Sequence, residues 1–88
     1  MKFGIIIHMI YQIKLQKGEL WRPKELKRGS YKVLTGVAWV TYTGVADDYV
    51  VNHGELLPAN QSGMVVEALE DLTLEIQTID FRLENYEL

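Results

Sequence analysis

The stretch Leu72-Thr73-Leu74-Glu75-Ile76-Gln77 decides the fold class, because apolar and polar residues alternate at every position. Successive side chains of a β-strand point to opposite faces, so this alternation predicts a strand that lays one face on a core. The same period recurs in Tyr11–Gln16, and Met64, Val66 and Ala68 share one face of a third stretch. No helical period runs long enough to compete with this pattern. The sequence therefore predicts an all-β domain.

Turn-forming residues separate these stretches at short intervals. Glycine, asparagine and aspartate supply the backbone angles that tight turns need. The predicted turns are Lys17-Gly18, Arg28-Gly29-Ser30, Thr35-Gly36, Gly44–Asp48, Asn52-His53-Gly54, Pro58–Gly63 and Glu70-Asp71. This punctuation predicts seven or eight short antiparallel strands in a small sandwich or barrel. The exception is Trp21–Lys27, where Pro23 removes a ladder donor and a loop or one helical turn is predicted.

The length of the chain predicts one domain. We expect residues 1–88 to form a single unit, with residues 1–10 as an N-terminal arm or strand and residues 80–88 as a tail that continues the last strand or frays. A chain this short buries only about 60–65% of the surface that its unfolded form exposes. It must use its apolar residues efficiently or share a face with a second subunit.

The composition excludes several kinds of chemistry. The chain has no cysteine, which excludes disulfides, thiolate nucleophiles, iron–sulfur clusters and cysteine-based zinc sites. The apolar run Phe3–Ile10 is too short to span a bilayer, and no small-residue cleavage site follows it. We therefore expect a cytoplasmic protein with no membrane partner.

Charge is distributed unevenly along the chain. Residues 1–32 carry eight lysines and arginines against two glutamates, whereas residues 33–88 carry Arg82 alone against ten carboxylates. This polarity predicts that the basic region lies against the acidic one, within one chain or between two. A basic patch for nucleic acid is the alternative, but the net charge of −3 opposes a phosphate backbone, and we expect no nucleic-acid partner.

The stretch Val37–Tyr42 is apolar on both faces. Val37 and Trp39 point one way, whereas Ala38, Val40 and Tyr42 point the other. Strands buried on both faces lie centrally between layers or at a subunit interface. The sequence therefore predicts that Trp39 belongs to the core or to a contact between subunits.

The order of these stretches resembles a known family. The segments that carry the likeness are Gly36–Thr41, Gly44, Asp48–Val51, Gly54–Leu57 and Val65–Ala68. Together they are similar to an uncharacterised bacterial family of small cupin-like domains, catalogued as domain of unknown function 2917. The likeness covers about residues 29–79 and implies a cupin-like double-stranded β-helix. It implies no activity, because the family has no established one, and Ala38 departs from its pattern of a bulkier aliphatic residue before the tryptophan.

Catalytic and metal-binding patterns are not found in the sequence. The two histidines are His8 in an apolar strand, expected to be half-buried, and His53 in a turn, expected to be exposed. They have no His-x-His spacing, so we expect no metal, and Asp47-Asp48 with Glu55 is interpreted as a solvated turn. Ser30 and Ser62 lie in predicted turns outside any nucleophile motif. We expect no catalytic residue and no cofactor.

Aromatic residues and one arginine are the candidate contact residues, for a ligand or for an interface. They are Trp21, Arg22, Trp39, Tyr42 and Tyr49. Aromatic rings and arginine are enriched at interface anchors, and barrel mouths often hold small molecules. The leading hypothesis is a non-catalytic, self-associating module that forms a homodimer. The alternatives are a small-ligand sensor or carrier that uses the interior, and a metal-free cupin-type enzyme.

Overall fold

Seven strands build the protein in its computed structural model, which describes residues 2–23, 29–58 and 63–85. Their bounds are β1 Lys2–Leu15, β2 Leu20–Trp21, β3 Gly29–Thr35, β4 Ala38–Thr41, β5 Tyr49–Val51, β6 Val65–Ala68 and β7 Leu72–Asn85. No helix occurs among the described residues, which confirms the all-β prediction. A loop or helical turn was expected over Trp21–Lys27. Trp21 instead ends β2, Arg22 and Pro23 follow it outside any strand, and residues 24–27 lie outside the described residues.

The strands form two antiparallel sheets. One sheet has the order β1-β7-β3 and the other the order β2-β6-β4-β5. Five strands are short, but β1 and β7 have 14 residues each. The prediction of uniformly short strands was therefore wrong for these two. Of the expected terminal segments, residues 2–10 lie in β1 and residues 80–85 lie in β7, while residue 1 and residues 86–88 lie outside the described residues.

The core lies between the inner faces of the two sheets. Leu74 and Ile76 of β7 are completely buried, and Leu72 is 2% exposed. Val40 of β4 and Val66 of β6 are fully buried in the same cluster. The alternation in residues 72–77 thus predicted the buried face correctly, and side chains fill the space between the sheets.

Backbone hydrogen bonds link the two sheets at both sides of the sandwich. Beside β3, the amide of Val33 donates to the carbonyl of Glu55 at 2.9 Å, and the amide of Leu57 donates to Tyr31 at 2.7 Å. On the opposite side, the amide of Gly18 donates to Ala68 at 2.7 Å. These bonds cover the edge of β3 and place the β1–β2 turn against β6.

One glycine turn is set by a close approach of backbone. Gly36 joins β3 to β4 at φ +88°, and a Cβ at this position would collide with the carbonyl oxygen of Asp71. Only glycine adopts this angle without strain and also leaves room for the neighbouring chain.

The two long strands extend well beyond the sandwich. β1 pairs with β7 from Lys2↔Asn85 to Leu15↔Leu72, whereas β3 pairs with β7 only as far as Gly29↔Thr78. We call residues 2–10 with residues 77–85 the arm. The protein measures 54 × 27 × 19 Å, and beyond Thr78 the arm is a two-stranded ribbon.

Candidate interaction surfaces

The outer face of the β1-β7-β3 sheet, which points away from the core, changes character along its length. Near the sandwich its rows are polar, with Lys14 opposite Thr73 and Gln12 opposite Glu75. From the row that contains Ile10 onward, the face becomes apolar. Four side chains on this part of the arm are exposed by half or more: Ile6 71%, Ile10 60%, Ile79 54% and Phe81 63%. We call these four residues the tip patch.

The tip patch is continuous across the two strands. Ile6 is the register partner of Phe81, and His8 is the partner of Ile79. A Cβ built on Gly4 would stand 2.7 Å from the ring of Phe81, so this ring lies over the glycine. An aromatic ring across a strand glycine supports local pairing. The ring is nevertheless mostly exposed, and its free side faces solvent.

The inner face of the arm is also apolar. Ile5 and Ile7 are half-buried, while Met9 is 51% and Tyr11 41% exposed. Asp80, the register partner of Ile7, is half-buried on this face. Apolar side chains therefore occupy both faces of the arm, although only its inner face has partial shelter.

A second exposed apolar surface lies on the outer side of the β2-β6-β4-β5 sheet. One row crosses all four strands, in the order Leu20, Glu67, Trp39 and Val50. Leu20 is 50% and Val50 58% exposed. The central Glu67 breaks this row into smaller apolar parts.

Of the two positions predicted for Trp39, the core is wrong, and the contact between subunits stays a prediction. Ala38, Val40 and Tyr42 are the buried set of this segment, and Trp39 points to the outer side with 37% of its surface exposed. Both sets of side chains in the stretch are apolar, so alternation alone could not decide which set faced inward. No segment of the described chain crosses Trp39 as a third layer, and the strand is covered on one face.

The five predicted contact residues do not form one site. Trp21 is half-buried beside Tyr31, with ring centroids 6.1 Å apart, and Tyr49 packs edge-on against Tyr42 at 6.0 Å. Both pairs pack on the core. Arg22 is exposed just after β2, and Trp39 lies on the opposite side of its sheet. Of the basic residues 1–32 that were expected to lie against the acidic region, residues 24–28 lie outside the described residues.

Tyr42 has a structural role. Its side chain is 5% exposed, and its hydroxyl donates a hydrogen bond to the carbonyl of Pro58 at 3.1 Å. Burial, and secondly the nearby Tyr49, raise the pKa of this hydroxyl above its ordinary value of 10.0. The folded state therefore favours the neutral, protonated form of this hydroxyl.

The two histidines lie in different parts of the fold. His53 is exposed in the turn after β5, as predicted. His8 is also exposed, on the outer face of the arm, so its expected half-burial was wrong. Among the described residues, no group of three or more histidines and carboxylates stands close enough to hold a metal ion. Ser30 lies at the start of β3, and Ser62 lies outside the described residues.

Carboxylates near the turns are engaged by backbone amides. Glu55 accepts from the amide of Asn52 at 3.0 Å, and Asp71 accepts from the amide of Lys17 at 2.9 Å. Glu19 accepts from Gln16 at 2.7 Å. Asp71 and Glu19 both line an open cleft of about 450 Å³ at the β1–β2 turn, whose other lining residues are Lys14, Leu15, Gln16, Thr35, Leu72 and Thr73. The hydrogen bonds assign these carboxylates a role in fixing turns.

Comparison with protein-family models, with curated proteins and with solved structures finds no match to this chain. Within the described ranges, no helix is long and apolar enough to cross a membrane. The candidate function therefore has to be argued from the surfaces themselves.

Proposed function

We propose that this protein is a non-catalytic, self-associating β module and that the arm is its contact surface. The observation that carries the proposal is the change on the outer face from polar rows at Gln12–Glu75 to the apolar tip patch. The side chains on a solvent-exposed face of a sheet are mostly polar. The side chains on a face that packs against another surface are mostly apolar. The change supports a partner that covers the arm from the row of Ile10 onward.

The stability of the arm supports the same proposal. An isolated two-stranded ribbon is marginally stable in water, and independent stability needs further strands or a packed face. Among the described residues, two strands pair beyond Thr78. A second copy would supply the missing layer.

The exposed apolar area of the tip patch fits a weak dimer. The tip patch offers about 470 Å² per chain, if a large side chain presents about 190 Å² when fully exposed. Two copies would then bury about 940 Å², below the roughly 1,200–2,000 Å² of standard specific interfaces and in the range of weak, transient ones. A homodimer is the partner that we propose.

The two alternatives have less support. A carrier that holds a small molecule between the sheets needs interior space, but Val33, Val40 and Leu74 are fully buried there. A metal-free enzyme needs an unengaged acid–base pair, but Glu19 and Asp71 already accept from backbone amides. Filled interiors and engaged carboxylates favour a module that acts through its surface.

We also propose that the domain is a small relative of cupin-like rolls and is similar to domain of unknown function 2917. Two facing antiparallel sheets and the crossing segment beside β3 support this. The cysteine-free composition supports a cytoplasmic location. A crystal structure in which both sides of the sandwich lack continuous pairing would contradict the double-stranded β-helix.

Sedimentation equilibrium at tens of micromolar tests the proposed function. We expect a dimer for the unaltered chain and a monomer for Phe81→Glu, because a charge in the tip patch would have to be desolvated. Val50→Glu is the matched control, since Val50 is 58% and Phe81 63% exposed and both lie on outer faces. An unaltered chain that remains monomeric would overturn the proposal, as would a dimer that Phe81→Glu leaves intact.

A further inference from the structure

We propose that two copies pack their arms face to face, tip patch on tip patch, with the arms antiparallel and the sandwiches at opposite ends. The inference rests on the proposed function and specifies its geometry. The arms would form a two-layer, four-stranded unit across a twofold axis. Each layer would be one β1–β7 ribbon.

The limits of the tip patch fix the extent of the overlap. Its first row pairs Ile10 with the polar Gln77, and the adjacent row toward the sandwich, Tyr11 with Ile76, already belongs to the inner face. The next outer row, Gln12 with Glu75, is polar. A partner that continued toward the sandwich would have to desolvate this row and Lys14. The overlap therefore ends near Ile10, and only the arms meet.

An isologous contact fits this patch because it is small, central to the arm and almost uncharged. Ile6 and Phe81 form one row, and His8 and Ile79 form the next. A twofold axis between these two rows places the Ile6–Phe81 row of one copy over the His8–Ile79 row of the other. Residues 3–13 carry no lysine, arginine, aspartate or glutamate, so the contact sets no like charges against each other.

The competing geometry is pairing through the free edge of β1. β1 is the outermost strand of its sheet over all 14 residues, and its uncharged stretch offers little protection against edge pairing. The free amides of the β1 edge, however, can form hydrogen bonds to water as good as those to another strand. The apolar side chains of the tip patch lower their free energy only when another surface removes them from water. Edge pairing leaves the outer faces of both arms in solvent. The exposed side chains therefore favour contact between faces.

Amide hydrogen exchange by NMR on the full chain separates the two geometries. In an antiparallel pair, every second amide of the edge strand points away from its partner strand. Face packing predicts that alternate amides of residues 4–10 exchange at least about tenfold faster than their neighbours, at concentrations where the chain is dimeric. Edge pairing would slow every amide in this stretch.

Isotope-filtered NMR on a mixed labelled and unlabelled sample supplies the second readout. Face packing predicts intermolecular contacts from the Phe81 ring to the methyl groups of Ile79 in the other copy. Edge pairing separates β7 from the partner's β1 by about 9–10 Å and predicts contacts between β1 strands instead. Uniform protection of residues 4–10 with β1–β1 contacts would overturn this inference and leave self-association standing. A monomer would overturn both.

Discussion

Trp39 and Val40 are adjacent in β4, yet Val40 is fully buried and Trp39 is 37% exposed on the other side of the sheet. The pair sets the orientation of the strand. Because Ala38 and Tyr42 share the buried side with Val40, the core contacts of this strand come from small and β-branched side chains and one tyrosine. Trp39 contributes its packing to the surface.

The two tryptophans should therefore differ in fluorescence. Trp21 packs on the core beside Tyr31, whereas Trp39 borders solvent. We expect Trp21→Phe, which leaves Trp39 as the only emitter, to show red-shifted emission and stronger acrylamide quenching than Trp39→Phe. Equal quenching of the two variants would contradict the orientation of β4. Retained far-ultraviolet circular dichroism serves as the control for folding.

Removal of core volume from β7 should be costly. Leu74 is fully buried, and Leu74→Ala should lower the free energy of unfolding by about 2–5 kcal/mol, because the cavity adds to the lost transfer energy. Val50→Ala is the control at an exposed position and should change it by less than about 1 kcal/mol. Urea unfolding measures both. If Leu74→Ala lowered the free energy of unfolding by as little as Val50→Ala, Leu74 of β7 would not pack in the core.

The sequence predicted the burial of β7 but not its pairing. Alternation in residues 72–77 identified the inward face, because one set of side chains is apolar and the other polar. The stretch Val37–Tyr42 gave no such contrast, so the sequence could not decide which set of its side chains faced the core. The arm depends on a register between residues about 80 positions apart, such as Lys2↔Asn85, and local patterns carry no information on such pairing. The candidate contact residues were chosen by type, which cannot separate core rings from surface rings.

Two glycines with nearly equal backbone angles separate the effect of the angle from that of crowding. Gly18 has φ +89° with nothing within 4 Å of a Cβ, whereas at Gly36, with φ +88°, a Cβ meets the carbonyl of Asp71. Gly18→Ala should cost about 1–2 kcal/mol through the left-handed angle alone. Gly36→Ala should cost clearly more, because the β3–β4 turn must also move. Thermal unfolding of the two variants measures both losses of stability. Equal losses would contradict the crowding at Gly36.

Alkaline pH should destabilise the fold through Tyr42. Burial and the nearby Tyr49 raise the pKa of its hydroxyl above 10.0, so the folded state binds this proton more tightly than the unfolded chain does. Its contribution to stability is fully present below pH 10.0 and is lost as the pH rises toward the higher pKa of the folded state. Ionisation also removes the proton donated to Pro58. We expect the free energy of unfolding, followed by urea titration, to fall above this pH.

Tyr42→Phe tests the assignment of that alkaline fall. At neutral pH the variant should lose about 0.5–1.5 kcal/mol with the hydrogen bond to Pro58. Above pH 10.0 its stability should decline less steeply than that of the unaltered chain, because the buried ionisable group is gone. Tyr11→Phe, at a position 41% exposed, is the control and should keep the full decline. An unchanged slope in Tyr42→Phe would assign the alkaline loss to other groups, since desolvation of this one hydroxyl is the physical cause on which the expectation depends.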